Sequence, residues 1–214
     1  MNLIFFGAPG VGKGTQARLI AKNFNLKHIS IGDLLRKQVA LKTPIGLQIS
    51  DLISKGQLVS DELATQVLKS ELPNENFALD GYPRTLNQAK ILDEMNLKID
   101  KVIYVELDDK LIIERMSGRK VCPACGEMYH DFYYSPQKSN VCDNCGNNLV
   151  VRDDDKVMTV LERLKIFHSL AEPIIDFYSA KKILLRVNGS LPIAQISDFI
   201  VNLLKEGNFN ARYY

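Results

Sequence analysis

The chain has 214 residues, 46% hydrophobic and 24% charged, with a net charge of +2. That length buries a core without covalent staples, and so slight a charge argues for neither a nucleic-acid nor a membrane surface. No stretch is apolar for long enough to span a bilayer, and the opening MNLIFFGAPG lacks the basic region of an export signal. The expected compartment is the cytosol, where disulfides are rare.

Residues 1–6 form a continuous apolar run that ends at Gly7, as a buried strand does. Residues 13–24 repeat apolar positions at helical spacing, and the link between the two is GAPGVGKGT, residues 7–15. It fits the phosphate-loop pattern G-x-x-x-x-G-K-[ST] through Lys13 and then departs. Gly14 stands where a Ser or Thr hydroxyl would hold Mg²⁺, and Thr15 comes one place late. Two short helices are expected next, over 33–41 and from Pro44 to a stop at Gly56. Ser60 caps another, with Asp61 and Glu62 in its first turn. Alternation then resumes: a strand over 77–79 running into Asp80-Gly81, a helix over 85–95, a strand over 101–107 and a helix over 111–117. A long helix begins near Lys156, with Pro173 as a kink or restart. A strand over 183–187 and a helix over 192–206, ended by Gly207, complete the series; the tail NFNARYY gives no reading. Such alternation predicts an α/β fold with a parallel sheet and helices on both faces.

Residues 119–155 break this pattern and hold every cysteine: Cys122, Cys125, Cys142 and Cys145. The spacing C-x₂-C-x₁₆-C-x₂-C suits a tetrahedral zinc site whose four thiolates leave no open position, so the metal would be structural. Free or disulfide-linked thiols are the alternative. His28, His130 and His168 are not needed as ligands and read as structural. A zinc ribbon can also grip nucleic acid, but between the knuckles stands a single lysine, Lys138, among Tyr129, Phe132, Tyr133 and Tyr134. That is thin for a phosphate-backbone footprint.

The loop itself predicts bound phosphate, since backbone N–H groups and a helix N-terminus favour an anion and Lys13 adds a full charge; an ordinary strand-to-helix turn is the alternative. Asp80, at the end of a later strand, is placed to reach a metal or its waters. Arg84 follows a proline turn at the same strand end, where open α/β sheets bind ligands. Arg115 and Arg119 precede the cysteine segment and Arg152 and Arg163 follow it, while Arg36 lies in the two-helix insertion. Arg18 and Arg186 read as solvated surface charges. Arginines at both roots of a zinc-stabilised flap can close onto phosphates and deliver charge only when it is shut. If the acceptor is itself a phosphate, no general base is required, and none is evident beside the loop.

The stretches GAPGVGKGTQA, SIGDLLR, GQLVSDEL, LDGYPRT with Gln88, ERMSGRKVCPACG and VVRDDD together resemble the adenylate kinase family, in its long form with a zinc-holding lid, over essentially the whole chain. In that family the loop reads GKGT, so Gly14 is the usual residue. The resemblance implies a parallel five-stranded sheet of the P-loop kinase type with helices on both faces, a helical NMP-binding insertion and a zinc-ribbon-like lid. The core would be residues 1–29, 60–117 and 156–214, the insertion 30–59 and the lid 118–155. It implies the reaction ATP + AMP = 2 ADP in adenine nucleotide homeostasis, with Mg²⁺ held largely through phosphates and water near Asp33 and Asp80.

Carried over by motif, Gly10, Val11, Gly12, Lys13, Gly14 and Thr15 would cradle ATP phosphates. Arg119 would bind ATP and Arg115 stack near its base, with Met128, Tyr129 and Leu191 lining the site. Ile31, Arg36, Gln57, Leu58, Val59, Gly81, Tyr82, Pro83, Arg84 and Gln88 would form the AMP site. Arg152 and Arg163 would clamp phosphates in transit, Asp154 and Asp155 would support the lid hinge, and Lys13, Arg84, Arg119, Arg152 and Arg163 would carry catalysis. Ile31 stands where the family usually has Thr, and Leu191 where some relatives have Lys. A kinase for UMP or CMP is therefore the neighbouring reading. A nucleotide switch, lacking a guanine-reading N-K-x-D, and a zinc-ribbon nucleic-acid binder are more distant ones. The partners expected are ATP and AMP, with no nucleic acid and no membrane, and the chain is expected to be a monomer.

Overall fold

A computed structural model describes residues 1–206; the tail at 208–214 and the helix stop at Gly207 lie outside them. The central sheet has five parallel strands: β1 (Asn2–Phe6), β2 (Lys27–Ser30), β3 (Phe77–Asp80), β4 (Lys101–Glu106) and, near the C-terminus, Leu184–Asn188. Their spatial order is β2-β3-β1-β4 with Leu184–Asn188 at the far edge. All five residues of β1 are buried, and they divide by alternation. Ile4 and Phe6 join one core cluster, Leu3 and Phe5 the other. An uninterrupted apolar run is what a strand covered on both faces requires.

The helix α1 (Lys13–Phe24) leaves the loop after β1 and buries Ala17, Ile20 and Ala21 under the sheet. Strand β2 was not expected from the sequence: in KHIS only Ile29 is buried, and an edge strand of four residues offers too little alternation to be seen. The two-helix insertion is α2 (Ile31–Ala40) and α3 (Pro44–Ser54), capped by the Ser30 and Thr43 side chains. Next come α4 (Asp61–Lys69), capped by Ser60, α5 (Leu86–Glu94), capped by Thr85, and α6 (Asp109–Ser117), capped by Asp108. Each cap accepts a hydrogen bond from a backbone N–H in the helix's first turn, which would otherwise lack a partner.

The cysteine segment is built on a small antiparallel pair, β5 (Arg119–Val121) and β6 (Met128–His130), closed by bridges from Val121 to Val150 and Val141 to Asn148. Its buried cluster is Cys122, Tyr129, Cys142 and Leu149, too small to hold a fold by apolar burial alone. A single 3-10 turn (Asp153–Asp155) leads into α7 (Val157–Ala180). Pro173 does not restart this helix, which runs unbroken through it. A proline inside a helix costs about 3 kcal/mol, and burial of Ala171, Ile174 and Tyr178 around it offsets that cost. The strand β7 (Leu184–Asn188) and α8 (Ile193–Glu206) complete the chain. None of the described helices is long and apolar enough to cross a membrane.

Candidate active site

The glycine loop sits at the C-terminal edge of the sheet, between β1 and α1. Gly12, with φ 97°, is the left-handed residue before the first helical turn, a conformation that costs glycine nothing. Lys13 is half-buried, and its Nζ donates to the Ala8 carbonyl at 3.1 Å. Burial lowers its pKa to about 7; Asp80 opposes this, and Arg84, Arg163 and Arg119 reinforce it. So much unscreened positive charge marks a place for an anion.

The departure at Gly14 has a steric cause. A Cβ built there would stand 2.9 Å from Asp80 Oδ2 and 3.4 Å from Met128 Cε. The carboxylate at the end of β3 fills the space that a Ser or Thr side chain would need. Asp80 is buried, and its Oδ1 has no hydrogen-bond partner among the described residues.

Above the loop the arginines meet three aspartates. Arg36 donates to Asp33 at 2.5 Å and lies 3.6 Å from Asp154. Arg152 reaches Asp33 at 3.3 Å, while its Nε is buried without a partner among the described residues. Arg163 donates to Asp154 at 2.8 Å, and Arg119 holds Asp155 with both Nε and Nη2. Burial would raise the Asp33 and Asp154 carboxyls; the guanidiniums around them outweigh it and hold both below the usual range. Burial, with neighbouring guanidiniums adding to it, lowers Arg152 and Arg163 to about 10. They stay charged at neutral pH but are crowded, and a phosphate would relieve that crowding.

These groups line a cleft enclosing about 2090 Å³, part of it open to solvent. Every residue expected around ATP is on its wall: Gly10, Val11, Gly12, Lys13, Gly14, Thr15, Arg115, Arg119, Met128, Tyr129 and Leu191. Of the acceptor-side set, Arg36, Gly81, Arg84, Arg152 and Arg163 line it as well. Leu58 and Pro83 line a second recess of about 590 Å³ beside Lys13, Arg84 and Arg163. Ile31, Gln57, Val59, Tyr82 and Gln88 line neither. Tyr82 points inward and its hydroxyl bonds Thr65 at 2.8 Å, which leaves its backbone for any ligand. Ile31 and Val59 are buried and Gln57 is exposed.

Among the wall residues that escaped the sequence reading are Arg18 and Tyr133. Arg18 is not a solvated surface charge: from α1 it reaches the turn after the first cysteine pair, donating to the Gly126 carbonyl at 3.0 Å. Its partner lies 108 residues away, so no local pattern announces it. Arg186 is more than half exposed but pairs with Glu106 at 2.6 Å. Tyr133 lies 5.5 Å beneath the Arg115 guanidinium, which also donates to the Gly189 carbonyl. An aromatic and a guanidinium on the cleft wall suit a flat ring; the only signal was the aromatic run itself. Of the histidines, His130 Nδ1 accepts from the Phe132 and Tyr133 N–H groups, and His168 pairs with Asp109 on the surface.

The four cysteine sulfurs lie within 4.8 Å of one another and can hold a metal ion. The Asn147 side chain and N–H, with Cys122, lower the Cys145 thiol to about 6, toward the thiolate form that binds metal.

A parallel sheet with a glycine loop at its carboxyl edge, a half-buried lysine and arginines converging from an insertion and a flap defines a phosphate-loop phosphotransferase. A family profile described as adenylate kinase matches residues 5–183. Among curated relatives, the adenylate kinase of Caldicellulosiruptor bescii is 44% identical over 95% of this chain and 99% of its own. That of Clostridium tetani is 42% identical over 95% and 98%, and that of Methanothrix thermoacetophila 41% over 96% and 99%. The chain belongs to the adenylate kinase family and is a nucleoside monophosphate kinase.

Proposed function

We propose that the chain catalyses ATP + AMP = 2 ADP in the cytosol as a monomer, with Mg²⁺ on the nucleotide and Zn²⁺ in the flap. The observation that carries this is the convergence of Arg36, Arg84, Arg119, Arg152 and Arg163 on the space above Lys13. Two phosphorylated substrates meeting head to head need charge on both sides of the transferring group, and a phosphate acceptor needs no general base. In this reading Gly10 to Thr15 hold the ATP phosphates by backbone N–H groups, and Lys13 follows the group in flight. Arg115 and Tyr133 flank the donor base. Arg36 and Arg84 grip the acceptor phosphate, and Arg119, Arg152 and Arg163 exchange their aspartates for phosphate oxygens as residues 118–155 close and exclude water.

Magnesium, when bound, would neutralise phosphate charge; Asp80, whose buried Oδ1 has no partner among the described residues, is the group that would hold it or its waters. Zinc would be held by Cys122, Cys125, Cys142 and Cys145 and give the flap its stability. Thiolate ligation suits the reducing cytosol. The deciding assay is ADP production from ATP-Mg with AMP, GMP, CMP, UMP or no acceptor. Turnover with AMP alone supports the proposal. Preference for UMP or CMP, the reading that Ile31 keeps in view by removing a hydroxyl, would move the acceptor but keep the mechanism. Hydrolysis without an acceptor would overturn the assignment of the arginines.

A further inference from the structure

Gln88 is a polar side chain only 2% exposed, and its amide is held at both ends. Its Oε1 accepts from the Arg84 backbone N–H at 2.7 Å, and its Nε2 donates to Asp61 Oδ1 at 2.8 Å. Asp61 is itself fixed by Thr85 Oγ1, 3.0 Å from both its oxygens, and by Asn87 Nδ2 at 2.9 Å. Those bonds use one N–H and one lone pair of the amide. The other N–H and the other lone pair have no partner among the described residues, which leaves them available to a ligand. Resting on the assignment of Gln88 to the acceptor site, we infer that Asp61 is a specificity-determining positioning residue, which locks the Gln88 amide so that it accepts a 6-amino purine and rejects a 6-oxo purine.

An amide can rotate by half a turn and exchange its oxygen and nitrogen with little change of shape. Here that rotation would set Oε1 against the Asp61 carboxylate and Nε2 against the Arg84 N–H, an acceptor facing an acceptor and a donor facing a donor. The amide therefore presents its free N–H and free lone pair in one order only. Adenine offers an acceptor at N1 and a donor at N6. Hypoxanthine, with the same outline, offers a donor and an acceptor in the reverse order. A site with fixed polarity rejects the reversed edge, because its own buried groups are then mismatched.

The test is kcat/KM for AMP and for IMP with the full-length, zinc-loaded enzyme. Variants are Asp61→Asn, Gln88→Ala and Asn87→Ala, each with its thermal midpoint. Asp61→Asn keeps the shape and removes the acceptor-only partner. The expected result is a fall of about tenfold in the AMP-to-IMP ratio, the worth of one oriented hydrogen bond, with KM for ATP unchanged. Asn87→Ala takes a bond from the outer oxygen of Asp61 and should leave the ratio within twofold, whatever it does to stability. If Gln88→Ala collapses the ratio while Asp61→Asn leaves it within twofold, the lock is refuted and Gln88 remains a base reader. If Gln88→Ala leaves the ratio unchanged, Gln88 does not face the base and both ideas fall. Should Asp61→Asn not fold, Asp61→Glu, which moves the carboxylate by one methylene, carries the same test.

Discussion

Writing the missing hydroxyl back into the loop, as Gly14→Ser, should impair this enzyme although it completes the common phosphate-loop motif. Gly14 is the second residue of α1, and in a helix Gly to a residue with a side chain gains up to about 1 kcal/mol. Against that stands the Asp80 carboxylate oxygen 2.9 Å from the new Cβ. Asp80 is short and buried at the end of a strand paired on both sides, so it cannot swing clear as a long surface side chain would. Overpacking of that kind costs about 1–3 kcal/mol, and the net loss of stability should be about 0–2 kcal/mol. Activity should suffer more. In the proposed function Asp80 and the Gly14 backbone would face the phosphates together, and a displacement of about 1 Å in such a site costs on the order of 100-fold.

The assay is steady-state ADP formation beside thermal unfolding for Gly14→Ser, Gly14→Ala and the double variant Gly14→Ser with Asp80→Gly. The two single variants should lose activity about equally, since the obstacle is the Cβ and not the lack of a hydroxyl. The double variant makes room and should recover the stability, though not the carboxylate's contribution to turnover. Gly14→Ser within threefold of the parent, and clearly above Gly14→Ala, would mean that the hydroxyl finds the metal and that the steric account is wrong.

Lys13, lowered to about 7 by burial with Asp80 opposing, should regain its proton when a triphosphate arrives. Titration calorimetry at pH 8 in buffers of different ionisation enthalpy should report uptake of up to about one proton per ATP, lost in Lys13→Met. The same shift has a stability sign: the folded chain binds this proton less tightly than the unfolded one, whose lysine titrates near 10.5. The lysine's penalty is therefore complete below about pH 7 and fades as pH rises toward 10.5. Thermal melts of the parent and Lys13→Met across that range should converge at the alkaline end. Chelation should lower the thermal midpoint and raise protease cutting within residues 118–155, because the buried cluster there is only Cys122, Tyr129, Cys142 and Leu149; equal cutting with and without metal would refute the structural role. Asp155→Asn removes the carboxylate that Arg119 and Arg163 share. It should cost about 3 kcal/mol, recovered in part by a bound nucleotide, which supplies the lost negative charge.

Chain-local chemistry was legible, and chemistry between distant segments was not. The glycine loop, the paired cysteines and the cap at Ser60 each complete their pattern within a few residues, so the sequence displays both partners at once. Strand β2 fails that condition. It is defined by its pairing with β3, Lys27 to Phe77 through Ser30 to Asp80, and its own four residues carry one buried side chain. Arg18 fails it in the same way, and so does Asp61, which reads as an ordinary first-turn charge until Gln88, 27 residues on, is brought against it. Individual arginines could be suspected of phosphate binding from their place at the roots of the cysteine segment. Nothing local revealed that Arg119, Arg152 and Arg163 are held by aspartates, Arg152 by Asp33 across 119 residues.

That hidden half has a consequence for how the site works. An arginine cluster with no counter-charge would repel itself and disfavour the closed flap. Here Asp33 joins the insertion to Arg152, and Asp154 joins Arg163 to Arg36. The carboxylates thus stand in for phosphates and hold the guanidiniums close to where nucleotides would need them. Binding would then exchange one anionic partner for another, and the free energy gained would be the difference between phosphate and carboxylate as partners rather than the whole of either. A site built this way gives up some affinity for substrate and product alike, which favours release after each turnover.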